Sequence, residues 1–378
     1  MNIVSYSEYS ELDVLEEAWE RLSQKELQFV PTFSDLRRQL ENGQARFQIL
    51  VDIDDLKINA MACFVYLNTT KRYDLASRTL FRLPVRELSL FGSCVLGQPT
   101  ELVIRKFFQK IIRDSDFDLI NAGMIFVESP LFRAINDLRE GVAAWKTIRR
   151  KRLWWLIRLP ASVDEYNASL SKNIKRDCQK QDAAGLELRI MCRPDQVDRF
   201  LVDADKISRS TYQWKLGPDY FLCNDERTRQ RFNLLSRSGT LRCYILCIEN
   251  VPCAFGWGEL AHRTFAFEQT GYDPQYRKMS PGTTLMVKMV RDLIENTDCE
   301  VFDFKWGGED GYKSRLGNTS IDCVSMHVAR MYKPYSLLIM LLDRILIASK
   351  NLVGRIVESD TLKHRLRAIL RKYGVGTF

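Results

Sequence analysis

Apolar and polar residues alternate along this chain in two periods, and the order in which those periods follow one another occurs twice. Residues 11–23 (ELDVLEEAWERLS) place Leu12, Leu15, Trp19 and Leu22 on one face of a helix. The segment 46–67 alternates as two strands joined at Asp54-Asp55, and 86–92 (RELSLFG) predicts a third. A loop with Gly97 and Pro99 leads to a helix over 101–113 and a buried strand over 117–127. The second half repeats this. Helices are predicted over 163–183 and 195–213, the latter with Val197, Phe200, Leu201, Ala204 and Ile207 as its apolar stripe. Strands follow at 240–248, 252–260 and 264–270, the first two joined at Glu249-Asn250. The loop 271–282, a helix over 283–296 and a strand over 301–306 complete it.

Element order, rather than residue identity, carries this repeat. It predicts an α/β (α+β) chain of two tandem units, residues 1–155 and 156–332, each a mixed, mostly antiparallel sheet flanked by helices. The basic run of Lys146 and residues 149–152 falls near the boundary, where it reads as the solvated face of a linker. Residues 333–378 read as a basic, amphipathic helical tail. From Arg344 onward it has eight Lys/Arg against two Asp/Glu. Such a tail suits either packing on the preceding unit or peripheral contact with an anionic membrane, and packing is the stronger expectation.

Composition narrows the classes. The chain has 378 residues, 46% of them apolar and 28% charged, which suits two globular domains. Its net charge of +8 favours an anionic partner without naming one. Ten cysteines occur with no CxxC pair, mostly inside apolar runs, so buried reduced thiols are expected. Three histidines without metal-ligand spacing argue against zinc, and no metal is expected. No charged n-region with an apolar h-region opens the chain, and no apolar run reaches the ~20 residues of a membrane span. The expected location is therefore cytoplasmic, with the inner face of the membrane as a peripheral site.

The chemistry concentrates in 264–318. Ser280-Pro281-Gly282 precedes a good helix: Ser280 suits an N-cap, Pro281 the first helical position, and Gly282 close approach of a ligand to the backbone. Together with Thr283 and Thr284 they form a candidate pyrophosphate cradle at the positive end of the helix dipole. Neither a GxxxxGK[ST] P-loop nor a GxGxxG after a strand is present. Asp303 and Glu268, on strands expected to be neighbours, are the best carboxylates for orienting or deprotonating an acceptor.

Tyr272-Asp273, Tyr276, Ser280-Pro281-Gly282, Phe302-Asp303-Phe304, Gly308 and Tyr312-Lys313 resemble the pattern of the CelD-like acetyltransferases, and 169–190 and 200–214 resemble that family's entry helices. That family is related to the GNAT acyltransferases and the Fem peptidyltransferases, and is associated with cellulose and exopolysaccharide synthesis. The resemblance covers roughly 156–320. It implies two GNAT-like units, the first degenerate because it lacks an SPG-type loop and a Tyr-Lys pair. Lys305 and Trp306 depart from the pattern, which expects smaller or more apolar residues there.

The resemblance implies direct acyl transfer from acetyl-CoA or another acyl-CoA to an amine or hydroxyl of a small-molecule, glycan, peptide or lipid-linked acceptor, with no covalent cysteine. Lys313 would polarise the acyl carbonyl, and Tyr272, Tyr276, Trp306 and Tyr312 would line the substrate. Two alternatives stay open: a Fem-like transferase using aminoacyl-tRNA, and an inactive scaffold at the membrane surface. No extended basic patch interleaved with aromatics favours nucleic acid.

Overall fold

The structure is a computed structural model. It describes residues 2–358 except 27, 44–45, 56, 76–77, 139–143, 184, 212–223 and 309–310. The predicted helix at the extreme C-terminus (361–374) lies outside these residues.

The first half contains β1 (Asn2–Tyr6), α1 (Glu16–Ser23), α2 (Phe33–Gly43), β2 (Phe47–Asp54), β3 (Lys57–Leu75), β4 (Arg78–Leu90), α3 (Glu101–Asp114), β5 (Leu119–Phe126), α4 (Pro130–Asn136) and β6 (Ala144–Arg158). The second contains α5 (Val163–Ser169), α6 (Lys172–Ala183), β7 (Leu186–Met191), α7 (Pro194–Ser210), α8 (Glu226–Arg237), β8 (Leu241–Ile248), β9 (Val251–Ala261), β10 (Thr264–Tyr272), α9 (Pro281–Asn296), β11 (Val301–Gly307), α10 (Tyr312–Leu316) and β12 (Thr319–Arg330). Helix α11 (Pro334–Glu358) follows.

Each half is an antiparallel meander, β2–β3–β4 or β8–β9–β10, whose last strand continues through a helix into a parallel neighbour, β5 or β11. Helices cover both faces. In the second half α9 packs Leu285, Met289 and Leu293 against Phe265, Phe267, Phe302 and Phe304 on one face. Helices α7 and α8 pack Phe200, Leu201 and Phe232 against Ile245, Phe255 and Trp257 on the other.

Among the described residues all twelve strands form one sheet, in the order β1-β2-β3-β4-β5-β12-β6-β11-β10-β9-β8-β7. The final strand of each half lies with the other half: β6 pairs with β11, and β12 pairs with β5. The two exchanged strands pair with each other from Thr319↔Leu156 to Arg330↔Ala144. The basic run near 149–152, expected as a linker, is therefore strand in the middle of the sheet. Lys151 and Arg152 are exposed there, since a long stem can carry the charge from the sheet to solvent.

Three further differences are local. The hairpin β3–β4 runs well beyond the predicted strands, because 68–72 is polar on both faces, with Asn68, Thr70 and Arg72 exposed and Lys71 turned in to Asp343, and gives no apolar alternation to read. The helix expected over 163–183 breaks at Leu170, which has extended backbone between α5 and α6. None of the described cysteines forms a disulfide.

Helix α11 packs on the first half. Ile339 and Met340 meet Val85, Leu119 and Ala329, and the buried Asp343 carboxylate lies 2.7 Å from Lys71 Nζ. Leu338, Leu341 and Ile345 remain exposed on its outer side. No described helix is long and apolar enough to cross a membrane.

Candidate active site

Strands β10 and β11 pair in parallel at Thr264↔Val301, Phe265↔Phe302 and Ala266↔Asp303, and there the pairing ends. Just beyond, both are irregular against their outer neighbours. The β10–β9 register shifts at Glu268, and the β11–β6 register shifts between Asp303 and Trp306. Two bulges at one level bend the strands and open the sheet. Because α9 connects parallel strands, its N-terminus lies at the same, C-terminal end of both. A ligand in the opening would face that helix start.

The helix start differs in detail from a simple cap. The 3-10 turn Pro274–Met279 runs directly into Ser280, which takes a left-handed conformation (φ 48°). So placed, Ser280 makes no side-chain cap. Its carbonyl instead accepts the N–H groups of Thr283 (3.1 Å) and Thr284 (3.2 Å). Pro281 has no N–H, which leaves Gly282 as the one backbone donor of this turn without a partner among the described hydrogen bonds. Thr284 is fully buried on the sheet side of α9. The ring of Tyr272 lies over Gly282, at 3.4 Å from where a Cβ would stand.

Asp303 alternates with Phe302 and Phe304, so it leaves the α9 core and enters the opposite face, where it is fully buried near Trp154. Its Oδ1 accepts the Lys305 N–H at 2.6 Å, and Oδ2 has no partner. Burial pushes its carboxyl up to about 6, against the opposing pull of the Lys305 N–H and ammonium, the Trp154 indole and the Phe29 backbone. Lys305 is held at φ 59°, an uncommon conformation for a side chain of this size, and its ammonium lies 2.6 Å from Glu268 Oε1. The same face holds Glu259, paired with Arg231 at 2.7 Å and raised by burial, with like charge from Glu268 and Asp35 adding to the rise.

Lys313 approaches from the α9 side. Its stem crosses Gly307, where a Cβ would stand 2.9 Å from Lys313 Cδ, and its ammonium donates to the carbonyls of Phe304 and Trp306 (2.9 Å to the latter). Two of three N–H bonds are thereby committed. Burial lowers Lys313 to about 8, with Asp303 opposing and Lys305 reinforcing the shift.

The residues expected to form the site thus fall into three groups. Asp303, Glu268 and Lys313 surround the strand opening. Ser280, Gly282, Thr283, Thr284 and Tyr272 form the helix start. Tyr276 and Tyr312 pack onto the α9 core, Tyr312 edge-on to Phe304, while Trp306 is half exposed beneath the Arg152 guanidinium. Sequence reasoning passed over Trp154 and Phe29, which come from the first half, and treated Lys305 as a departure. A lysine two residues from one candidate carboxylate was the available signal. Among the described residues no group of three His, Cys, Asp or Glu could hold a metal ion.

A family model described as an acetyltransferase (GNAT) domain matches residues 168–314, from the end of α5 through Lys313. The fold is similar to the crystal structure of FemX, with a TM-score of 0.62 and 9% identity over 91% of this chain and 100% of that one. A conserved protein of unknown function from Bacteroides thetaiotaomicron is similar at TM-score 0.52 and 12% identity, covering 86% of this chain and 100% of its own. L-PGS from Bacillus licheniformis follows at 0.50 and 12%, covering 85% and 98%. No curated protein matches the sequence significantly. Two GNAT-like units in tandem are the fold, and the match to the acetyltransferase (GNAT) model lies within the second.

Proposed function

We propose that the second unit transfers an acyl group, with acetyl from acetyl-CoA as the leading candidate, directly to an amine of a sugar, peptide or lipid-linked acceptor. The opening between β10 and β11, flared by bulges at Glu268 and Lys305 and facing the start of α9, carries this reading. The Gly282 N–H and the helix dipole suit a donor pyrophosphate, with Tyr272 beside it. The uncommitted N–H of Lys313 is the group to stabilise charge developing on the acyl oxygen. Asp303, close to neutral pH in its affinity for protons, is the group to take the acceptor's proton, and Lys305 holds Glu268 beside it. Asp303, as a base of this strength, suits an amine acceptor, whose proton it can take as the bond to the acyl carbon forms. A ternary complex of this kind needs no cysteine nucleophile.

Resemblance to the CelD-like family supports a place in exopolysaccharide or cell-envelope synthesis. The exposed Leu338, Leu341 and Ile345 on α11, next to a basic C-terminal sequence, support peripheral contact with an anionic bilayer, which co-sedimentation with anionic vesicles would measure. The donor is tested by thermal unfolding with CoA, acetyl-CoA and longer thioesters. A ligand at ~100 times its Kd adds about 2.7 kcal/mol. A shift with CoA supports the reading. No shift with any thioester at millimolar concentration removes acyl-CoA and leaves an aminoacyl-tRNA donor or an inactive scaffold.

A further inference from the structure

The first unit contains a cavity of about 330 Å³ between the start of α3, the end of β5 and the start of α4. Its place matches that of the donor cleft, since α3 joins the parallel strands β4 and β5 as α9 joins β10 and β11. Its lining is different. Where α9 begins with Pro281-Gly282, α3 begins with Glu101, whose carboxylate is held by Arg133. The wall opposite carries a second carboxylate, Glu26, which accepts the Gly97 N–H at 3.2 Å. Gly97 is required for that turn: its φ is 91°, and a Cβ would stand 2.2 Å from the Asn59 carbonyl oxygen. Val95, Ile104, Ile125, Phe126 and Leu131 supply apolar wall, with Gln28 and the buried Cys94 beside Glu26.

A phosphate would meet carboxylates here instead of free N–H groups. Burial raises Glu26 to about 7, so above neutral pH it is a carboxylate short of hydration, which a cation can replace and an anion cannot. Lys25, the one cation of the lining, is exposed. The volume is at the small end for ligand pockets.

We propose that this cavity binds a small amphipathic primary amine, with its ammonium on the Glu26 carboxylate and its apolar body against Ile104, Phe126 and Leu131. The site lies beside the candidate catalytic carboxylate. Phe126 packs edge-on to Trp154 at 5.7 Å, and the backbone of Phe29, three residues after Glu26, is near enough to Asp303 to oppose the rise of its carboxyl. The inference stands apart from the donor reading, since every residue it uses belongs to the first unit.

Isothermal titration of the full chain at pH 8 with n-hexylamine, hexanoate and 1-hexanol tests it. The amine should bind at one site at least about tenfold more tightly than either of the others, as a charge-assisted hydrogen bond requires. Glu26→Gln should remove that preference while leaving the unfolding midpoint in place. Should that variant fail to fold, Leu131→Phe, which fills the cavity with the carboxylate retained, should abolish amine binding. Equal binding of amine and hexanoate, no binding of any probe, or unchanged amine affinity in both variants would overturn the proposal.

Discussion

The Lys305 ammonium lies 2.6 Å from the Glu268 carboxylate, across the point where β10 and β11 part. Each residue sits at the bulge of its own strand, so one ion pair spans the opening that the two bulges create. Lys305 reaches this place only in a left-handed conformation, which costs a non-glycine residue about 1–2 kcal/mol. Replacing it with glycine should separate backbone from side chain. Lys305→Gly should keep the backbone N–H hydrogen bond to Asp303 Oδ1 and unfold at an equal or higher temperature, while acyl transfer falls at least tenfold. Unchanged kcat/KM in that variant would remove the ion pair from the mechanism.

The pH dependence follows from two shifted groups. On the proposed mechanism Asp303 would serve as a base above about 6 and Lys313 would stay charged below about 8, so activity should peak between these values. Asp303→Asn should lose the acidic limb together with most of the rate, and Lys313→Arg should move the alkaline limb upward. Stability runs the opposite way. Asp303 binds its proton more tightly folded than unfolded, so its contribution is present below 3.8 and lost as pH rises through about 6. Lys313 binds its proton less tightly folded, so its contribution is present above 10.5 and lost as pH falls through about 8. Both groups therefore weaken the fold between about 6 and 8, the window of the proposed reaction, and Asp303→Asn should raise the unfolding midpoint at pH 7.

Gly282 offers a separate test of the donor cradle. A Cβ there makes only ordinary contact with the Tyr272 ring. Gly282→Ala should stabilise the unliganded protein by up to about 1 kcal/mol through helix propensity. A bulkier Gly282→Val should fold and lose the CoA-dependent shift in unfolding temperature. Retention of that shift in the valine variant would place the donor elsewhere.

Asp292 tests what holds α9 on the sheet. Its buried carboxylate accepts from Arg242 Nε and Tyr244 Oη, each at 2.8 Å, and from Asn296 at 2.9 Å. Asp292→Ala leaves Arg242 charged and unpaired, and should lower stability by about 3–5 kcal/mol in denaturant titration. A loss below about 1 kcal/mol would mean that water replaces the carboxylate.

The sequence made the repeated meanders and α9 readable because each has its own period: two for the half-buried strands, 3.6 for the helix. Asp303 and Lys313 could be found because a charged residue inside Phe-Asp-Phe, or beside glycines, interrupts such a period. The partner of a strand has no comparable signature. The basic residues of β6 break the alternation that would mark it as a strand, so that 149–152 reads as a linker, and nothing in residues 144–158 says that they pair with 301–307. The roles of Trp154 and Phe29 at Asp303 follow from that pairing, so they were hidden with it. The burial of Thr284 was in principle legible, since it lies three residues before the buried Val287 on the helix.

The exchange of β6 and β12 also predicts what happens when the chain is divided. Residues 1–155 lack the β12 partner of β5 and β6, and 156–332 lack nearly all of the β6 partner of β12. Expressed alone, each should lack a cooperative unfolding transition, and the two co-expressed should recover one. Independent cooperative folding of either piece would show that the exchanged strands are dispensable.

That same exchange has a consequence for how such a gene can change over generations. It amounts to a strand-swapped dimer written into one polypeptide. Substitutions that erode the chemistry of the first copy leave the architecture standing, whereas deleting that copy removes a wall of the second. Drift in sequence and constancy in length should therefore go together. The first copy is then free to acquire a ligand of its own, because its continued presence is secured by a neighbour that cannot close without it.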